Sequence, residues 1–217
     1  NIENPTELNI INEITIESWV KVNNFTGSYQ GIVTDWRPIG SSSIRKYGLF
    51  IEPTTNYFGF QLSSLGSDTV TINSNSAPTL GVWYHLVGTR NASGNMFLYV
   101  NGVKQTGTNT ISGIFSSVQN VTIGVRNLGV TPLYFNGIID EIRIYNRELS
   151  NDEIKASYNT YANQLNATFS GLVDGNYNFT AYIPNNTGSI NQTETRIITV
   201  YVAPLQSIEF ISPTDND

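Results

Sequence analysis

Apolar and polar residues alternate through residues 13–22, with Ile14, Ile16 and Val20 on one face and Glu13, Thr15, Glu17 and Lys21 on the other. A period of two is that of a β-strand. Trp19 falls on the polar side, which predicts a strand covered on both faces. Short β-rich runs follow at 31–34, 48–51, 57–62 and 69–72, divided by Gly, Pro, Ser and Asn. Strands of this length and spacing predict an antiparallel sandwich. Residues 84–89 and 96–100 read as two further strands joined by the turn Asn91-Ala92-Ser93-Gly94. Asn101-Gly102 then supplies the positive-φ pair of a type I′ hairpin. Runs at 121–125 and 135–145 complete the set.

The pattern switches period once. Residues 149–158 predict a short amphipathic helix, with Ser150 as N-cap and Glu153 closing a capping box. Leu149 and Ile154 are spaced as a hydrophobic staple, and the cap contributes about 1 kcal/mol. Beyond residue 159, Lys is absent and alternation returns at 165–169, 177–183 and 195–202. The stretch Leu172-Val173-Asp174-Gly175-Asn176-Tyr177 is similar to the tyrosine-corner turn of immunoglobulin-like and fibronectin-like sandwiches. Residues 208–214 read as a strand entering a proline turn, similar to the opening of another such module. A stretch of about 45 residues is too short for a complete immunoglobulin sandwich of about 100. It is read as a partial module or a β add-on.

Composition narrows the function classes. Of 217 residues 39% are apolar and only 13% charged, and Asn, Thr, Ser and Gly fill the difference, as suits strands joined by turns. The net charge of -6 argues against nucleic acid as a partner, which would need a basic face. The absence of cysteine removes disulfides, thiolate metal sites and a cysteine nucleophile. A domain of this size buries enough core without staples. No run of about 18 apolar residues is present, so no membrane insertion is expected within this segment. The chain opens at Asn1, without a signal-peptide pattern, and is expected to be a segment of a longer or processed polypeptide. Glycosylation sequons lie at Asn24, Asn91, Asn120, Asn166, Asn178, Asn185 and Asn191. The Asn- and Ser/Thr-rich composition alone produces roughly five. The polar, weakly charged surface and these sequons fit an extracellular location.

Three groups of residues carry a family resemblance: Ile14-Thr15-Ile16-Glu17-Ser18-Trp19-Val20, the hairpin from Trp83-Tyr84-His85 through Asn101-Gly102, and Gly137-Ile138-Ile139-Asp140-Glu141 running on to Ile154. From residue 8 to 158 the chain resembles the laminin-G-like, concanavalin A-like superfamily. The resemblance implies an all-β, antiparallel jelly-roll sandwich with one short helix. The organisation expected is a jelly roll over 1–158, a partial immunoglobulin-like β module over 159–203, and a linker or first strand of a following module over 204–217. The family opens with a strand ahead of Asn4-Pro5 that is not visible here, so either the chain is truncated or a neighbouring segment fills the gap. Members bind glycans or proteins, often with calcium, and some relatives are glycosidases. The later segment resembles repeats of modular archaeal and bacterial surface proteins.

Candidate chemistry is sparse. Glycoside hydrolysis needs two carboxyls about 5–9.5 Å apart. Jelly-roll glucanases place their acids at alternate positions of one strand; the matching register here, Glu141, Arg143 and Tyr145, holds one acid. Glu13 and Glu17 share a face but stand about 13 Å apart. No catalytic residue is assigned. Asp140, in the register Ile138, Asp140, Ile142, Ile144, is expected on the apolar face, where a carboxylate must be paired or metal-bound. It is the candidate ligand for a structural calcium, with Asp35, Asp68 and Asn136 as further oxygen donors, or else an acid satisfied by backbone N–H groups. The single histidine, His85, has no nucleophile or second metal ligand at a telling spacing and is read as a packing residue. Residues 35–47 read as a long, basic, aromatic loop. Trp36 and Tyr47 are candidate platforms for a sugar face, with Arg37 or Arg45 reaching hydroxyl or acidic groups and Arg126 and Asn127 on the same rim; Trp36 as a cover for the sandwich edge is the alternative. An intramolecular Lys–Asn cross-link in the later segment is not expected, because it has no lysine beyond Lys155.

These readings favour a non-catalytic binding or adhesion module of an extracellular cell-surface protein, recognising a glycan or a surface protein through loops at the jelly-roll rim. The alternatives are a structural subunit of a surface layer or filament that self-associates by β-strand contacts, and a glycoside hydrolase.

Overall fold

A computed structural model describes residues 6–39, 42–116, 120–127, 132–162, 172–179, 182–184, 190–192 and 195–200. It divides into two compact units, Asn1–Gln164 and Leu165–Asp217. After a 3-10 turn at Thr6–Leu8, the first unit holds β1 (Ile14–Val22), β2 (Gln30–Ile39), β3 (Ser42–Ile51), β4 (Phe58–Leu62), β5 (Val70–Asn73), β6 (Trp83–Arg90), β7 (Asn95–Val100), β8 (Val103–Lys104), β9 (Asn109–Thr110), β10 (Thr122–Ile123), β11 (Val125–Asn127), β12 (Pro132–Tyr134), β13 (Gly137–Tyr145) and the helix α1 (Asn151–Ala162). One antiparallel sheet runs β13-β1-β6-β7-β8 with β9 on β7; the other runs β10-β2-β3-β4-β5. β11 and β12 form a separate ribbon. The expected all-β, concanavalin A-like sandwich with one short helix is thus observed.

The inward faces supply the core. Ile14, Ile16, Val20, Leu86 and Leu98 of the first sheet meet Leu49, Ile51, Phe58, Phe60 and Leu62 of the second, all essentially inaccessible. Each such side chain contributes about 1.5–3 kcal/mol relative to exposure. Gly88 leaves the room that the facing sheet fills, since a Cβ there would stand 2.3 Å from the Phe60 ring. The turn between β7 and β8 has the expected geometry, with φ of 53° at Asn101 and 73° at Gly102.

The outer face of the first sheet is also covered, as Trp19 predicted. Val87 and Tyr99 pack against Leu149 and Ile154 at the start of α1. The Thr15 hydroxyl donates to the Arg147 carbonyl at 2.8 Å and accepts from the Leu149 N–H at 2.9 Å. Tyr99 donates to Asn151 Oδ1 at 2.6 Å. The capping box forms reciprocally: Glu153 N–H donates to Ser150 Oγ, and Ser150 N–H to Glu153 Oε2. α1 continues past residue 158 to Ala162.

Two expectations are corrected. Residues 35–47 are mostly strand: β2 extends to Ile39 and β3 begins at Ser42. Asp140 does not face the core. Glu17 pairs with Arg143 but Trp19 with Asp140, so β13 carries one extra residue between them. This bulge centres on Glu141, whose φ is +50°. It reverses the alternation, so that Ile139, Ile142 and Ile144 pack on the core while Ile138 and Asp140 are exposed.

In the second unit, β14 (Gly175–Phe179) pairs with β17 (Arg196–Val200), and β15 (Tyr182–Pro184) with β16 (Ile190–Gln192). The Tyr177 hydroxyl donates to the Val173 carbonyl at 2.9 Å and accepts from the Val173 N–H, the local bonding expected of a tyrosine corner. Residues 201–217, including the expected strand at 208–211, lie outside the described residues.

Candidate ligand-binding site

The expected rim residues come together, but as packing. Arg126 projects from β11 so that its guanidinium carbon stands 3.7 Å from the Tyr29 ring and 3.8 Å from Trp36, with Phe50 at 5.2 Å. Arg45 lies 5.3 Å from the same indole. Trp36 is 2% exposed and Arg126 5%. Burial, with Arg45 close by, pulls the Arg126 guanidinium down to about 10, so it remains a cation at neutral pH. Such desolvated cation–π contacts are worth about 2 kcal/mol each. They pin the β11–β12 ribbon to the neighbouring sheet. Tyr47 faces the core, its hydroxyl donating to the Leu8 carbonyl, and burial raises its pKa. Neither Trp36 nor Tyr47 offers a free ring face for a sugar. The side chains of Arg37 and Asn127 lie outside the described residues.

The acidic groups also resolve differently. Glu17, expected on a polar face, is fully buried beneath α1. Its carboxylate accepts from Arg143 Nη1 at 2.8 Å and from the Ser157 hydroxyl at 3.2 Å, with His85 Nε2 at 3.6 Å. Burial pushes the carboxyl up, but His85 and Arg143 outweigh it and leave its pKa lowered. Arg143 Nη2 reaches Glu141 as well. The two acids are therefore bridged by one guanidinium, and Glu17, buried and held ionised, cannot protonate a leaving group. His85 is a packing residue, 1% exposed, with its ring centroid 5.3 Å from Trp19 and 6.1 Å from Tyr158.

Asp35 and Lys46 form a second buried pair at 3.9 Å. Lys46 also donates to the Leu8 carbonyl and to Asn9 Oδ1. Burial pushes the Asp35 carboxyl up to about 6 against the pull of Lys46. Asp68 accepts from Ser63, Ser64 and the Leu65 N–H, and Asn136 N–H donates to Gln30 Oε1. The expected calcium donors Asp35, Asp68, Asn136 and Asp140 are thus engaged separately. Among the described residues no group of three or more His, Cys, Asp or Glu side chains could hold a metal. Of the sequons, Asn24, Asn120 and Asn178 are exposed and Asn91 is half-buried; Asn166, Asn185 and the Asn191 side chain lie outside the described residues.

A concavity that sequence reasoning missed lies at the edge between the two sheets. It has a volume of about 260 Å³ and is lined by Phe58, Ser74, Asn75, Ser76, Ala77, Pro78, Tyr84, Val100 and Gln105. Phe58 and Tyr84 meet edge-on, centroids 5.5 Å apart. Hydrogen bonds fix the rest. The Phe58 N–H donates to Ser74 Oγ at 3.0 Å, and Ser74 Oγ donates to the Ser76 carbonyl at 2.7 Å. The Asn75 N–H donates to Gln105 Oε1 at 2.9 Å, while Asn75 Oδ1 accepts from the Thr106 N–H and hydroxyl. Thr79 N–H donates to the Tyr84 hydroxyl at 2.9 Å. The only sequence signal was a run of small polar residues, Ser74-Asn75-Ser76, before Ala77-Pro78, which reads equally as a turn.

The sandwich is similar to several solved structures. The CBM40 module of a Ruminococcus gnavus IT-sialidase, bound to α2,3-sialyllactose, matches with a TM-score of 0.58 at 19% identity, over 70% of this chain and 85% of that one. The binding domain of Paraclostridial Mosquitocidal Protein 1 matches with a TM-score of 0.54 at 14% identity, over 88% of this chain and 51% of that one. Trypanosoma rangeli sialidase, as a covalent intermediate with 2,3-difluorosialic acid, matches with a TM-score of 0.53 at 19% identity, over 68% of this chain but only 22% of the sialidase. Identities this low speak to the fold alone. A search of curated protein sequences finds no match. A laminin-G family model, described as concanavalin A-like lectin/glucanases superfamily, matches residues 1–155. By that match over most of its length, and by the two-sheet sandwich that carries it, the chain belongs to the concanavalin A-like lectin/glucanase superfamily.

Proposed function

We propose that the protein is a non-catalytic glycan-binding module of an extracellular, cell-surface polypeptide. The observation that carries this reading is the pocket between the sheets. It pairs the ring of Tyr84 with fixed amide and hydroxyl groups, the combination that a sugar's apolar face and hydroxyls require. Its size admits one sugar ring, below the ~300 Å³ of pockets for drug-sized ligands. Similarity of fold to a module bound to sialyllactose supports carbohydrate as the ligand class. The locked state of Glu17 and Glu141 supports binding over hydrolysis. A glycan array probed with the labelled 217-residue chain tests the reading. Saturable retention on a subset of glycans is expected. Indifference to every glycan sinks it, and release of reducing sugar that is lost in Glu141→Gln sinks its non-catalytic half.

A further inference from the structure

The pocket is distinguished by what its walls lack. Tyr84 supplies a ring, Ser74 and Ser76 hydroxyls and Asn75 and Gln105 amides, and among the described residues no Arg, Lys, His, Asp or Glu lines it. A carboxylate or sulfate placed there would give up water without meeting a cation, which is costly. A hydroxyl both donates and accepts, so it is matched by uncharged groups that do the same.

Those groups retain the needed capacity. The Tyr84 oxygen accepts from the Thr79 N–H, which leaves the phenolic proton to donate. Asn75 uses Oδ1 on Thr106, leaving its NH2 to donate. Gln105 uses Oε1 on the Asn75 N–H and one proton of Nε2 on the Val103 carbonyl, leaving the second. Ser76 contributes an exposed hydroxyl. The bonds already made tie residues 74–79 to β4, to β6 and to the segment after β8. The pocket is therefore formed before any ligand arrives, and little ordering entropy opposes binding.

We infer that this pocket binds an uncharged terminal sugar, a hexose or N-acetylhexosamine, and rejects the acidic sugars seen on structures of similar fold. The inference rests on the glycan-binding reading and adds to it a location and a charge class. The test compares lactose and N-acetyllactosamine with α2,3-sialyllactose and a 6-sulfated terminal galactoside by isothermal titration calorimetry. Three proteins are compared: wild type, Tyr84→Phe, and Ser76→Trp, a plug at an exposed position that the fold tolerates. The neutral sugars are expected to bind at least about tenfold more tightly than the acidic ones. Tyr84→Phe should weaken neutral binding about fivefold to tenfold, and Ser76→Trp should abolish it with an unchanged melting temperature. Neutral binding that survives Ser76→Trp overturns the location while leaving glycan binding intact. Tighter binding of the acidic sugars overturns the charge class. Failure of every sugar, together with a blank array, overturns the glycan reading itself.

Discussion

Replacing Glu17 by Gln keeps the shape of the buried network beneath α1 and removes its charge. The loss can be worked from the contacts. The bond from Arg143 Nη1 at 2.8 Å is charge-assisted, and Arg143 is about one-third exposed while Glu17 is fully buried. Charged hydrogen bonds contribute about 1.5–3 kcal/mol net. Partial solvation of Arg143, and its second partner Glu141, argue for the lower half of that range. The Ser157 and Tyr145 hydroxyls still find an acceptor on the Gln carbonyl. A loss of about 2 kcal/mol is expected, or about 4–8 °C in melting temperature for a unit of this size. The pH dependence makes the test specific. Burial raises the Glu17 carboxyl, but His85 and Arg143 bring it below its ordinary 4.5. A depressed carboxylate adds stability that is complete above the unfolded pKa and is lost as pH falls through the folded one. The deficit of Glu17→Gln should therefore be full at pH 7 and shrink below pH 4.5, where wild type takes up the proton that makes it resemble the variant. Urea denaturation at pH 7, 5, 4 and 3, followed by tryptophan fluorescence, measures this. A deficit that persists undiminished at pH 3, or a variant indistinguishable from wild type at pH 7, refutes the charge-based account.

Asp35 should act with the opposite sign. Its folded pKa, near 6, lies above the ordinary 3.8, so the folded state holds the proton longer than the unfolded chain does. Stability falls as pH rises from about 4 to 6, by about 3 kcal/mol for a shift of about two units. Asp35→Asn should flatten that window in urea midpoints measured against pH, and an unchanged slope counts against the assignment. Arg126→Ala should cost about 2–4 kcal/mol through lost contacts to Tyr29 and Trp36, and Arg126→Lys should recover less than half, since an ammonium cannot stack as a plane. Thermal melts of the two variants decide this, and full recovery by Lys would mean that charge alone holds the ribbon.

Features written within a few residues of each other were legible in the sequence. The Asn101-Gly102 turn and the Ser150–Glu153 capping box depend on local backbone chemistry, and both form as the residues dictate. Trp19 on a polar face correctly announced a second covered surface, because a large ring is rarely left in water opposite a core strand. The burial of Glu17 was not legible. Its stabilising partners are Arg143 and Ser157, separated from it by 126 and 140 positions, and no local pattern records such a pairing. The register of β13 failed for a related reason. A strict alternation placed Ile138 and Asp140 inside with Ile142 and Ile144, and one bulged residue at Glu141 turns the stretch before it over, so that Ile139 faces the core instead.

The binding site shows the limit most sharply. A search guided by aromatic and basic residues selected Trp36, Tyr47 and Arg126, and folding uses all three for packing. The physical reason is that a large ring gains more by burial in its own protein than by waiting for a ligand, and Arg126 follows because the faces of those rings are where a desolvated guanidinium is held. The groups left over at an accessible concavity are the small polar residues whose bonding capacity exceeds what the backbone consumes. Asn75 and Ser76 are of that kind, and they line one concavity only because Gln105, after β8, and Tyr84, on β6, are brought beside them by the closure of two sheets. The neutral sugar site proposed for this fold would therefore be encoded less by any conspicuous residue than by surplus donors on a loop that other hydrogen bonds have already made rigid.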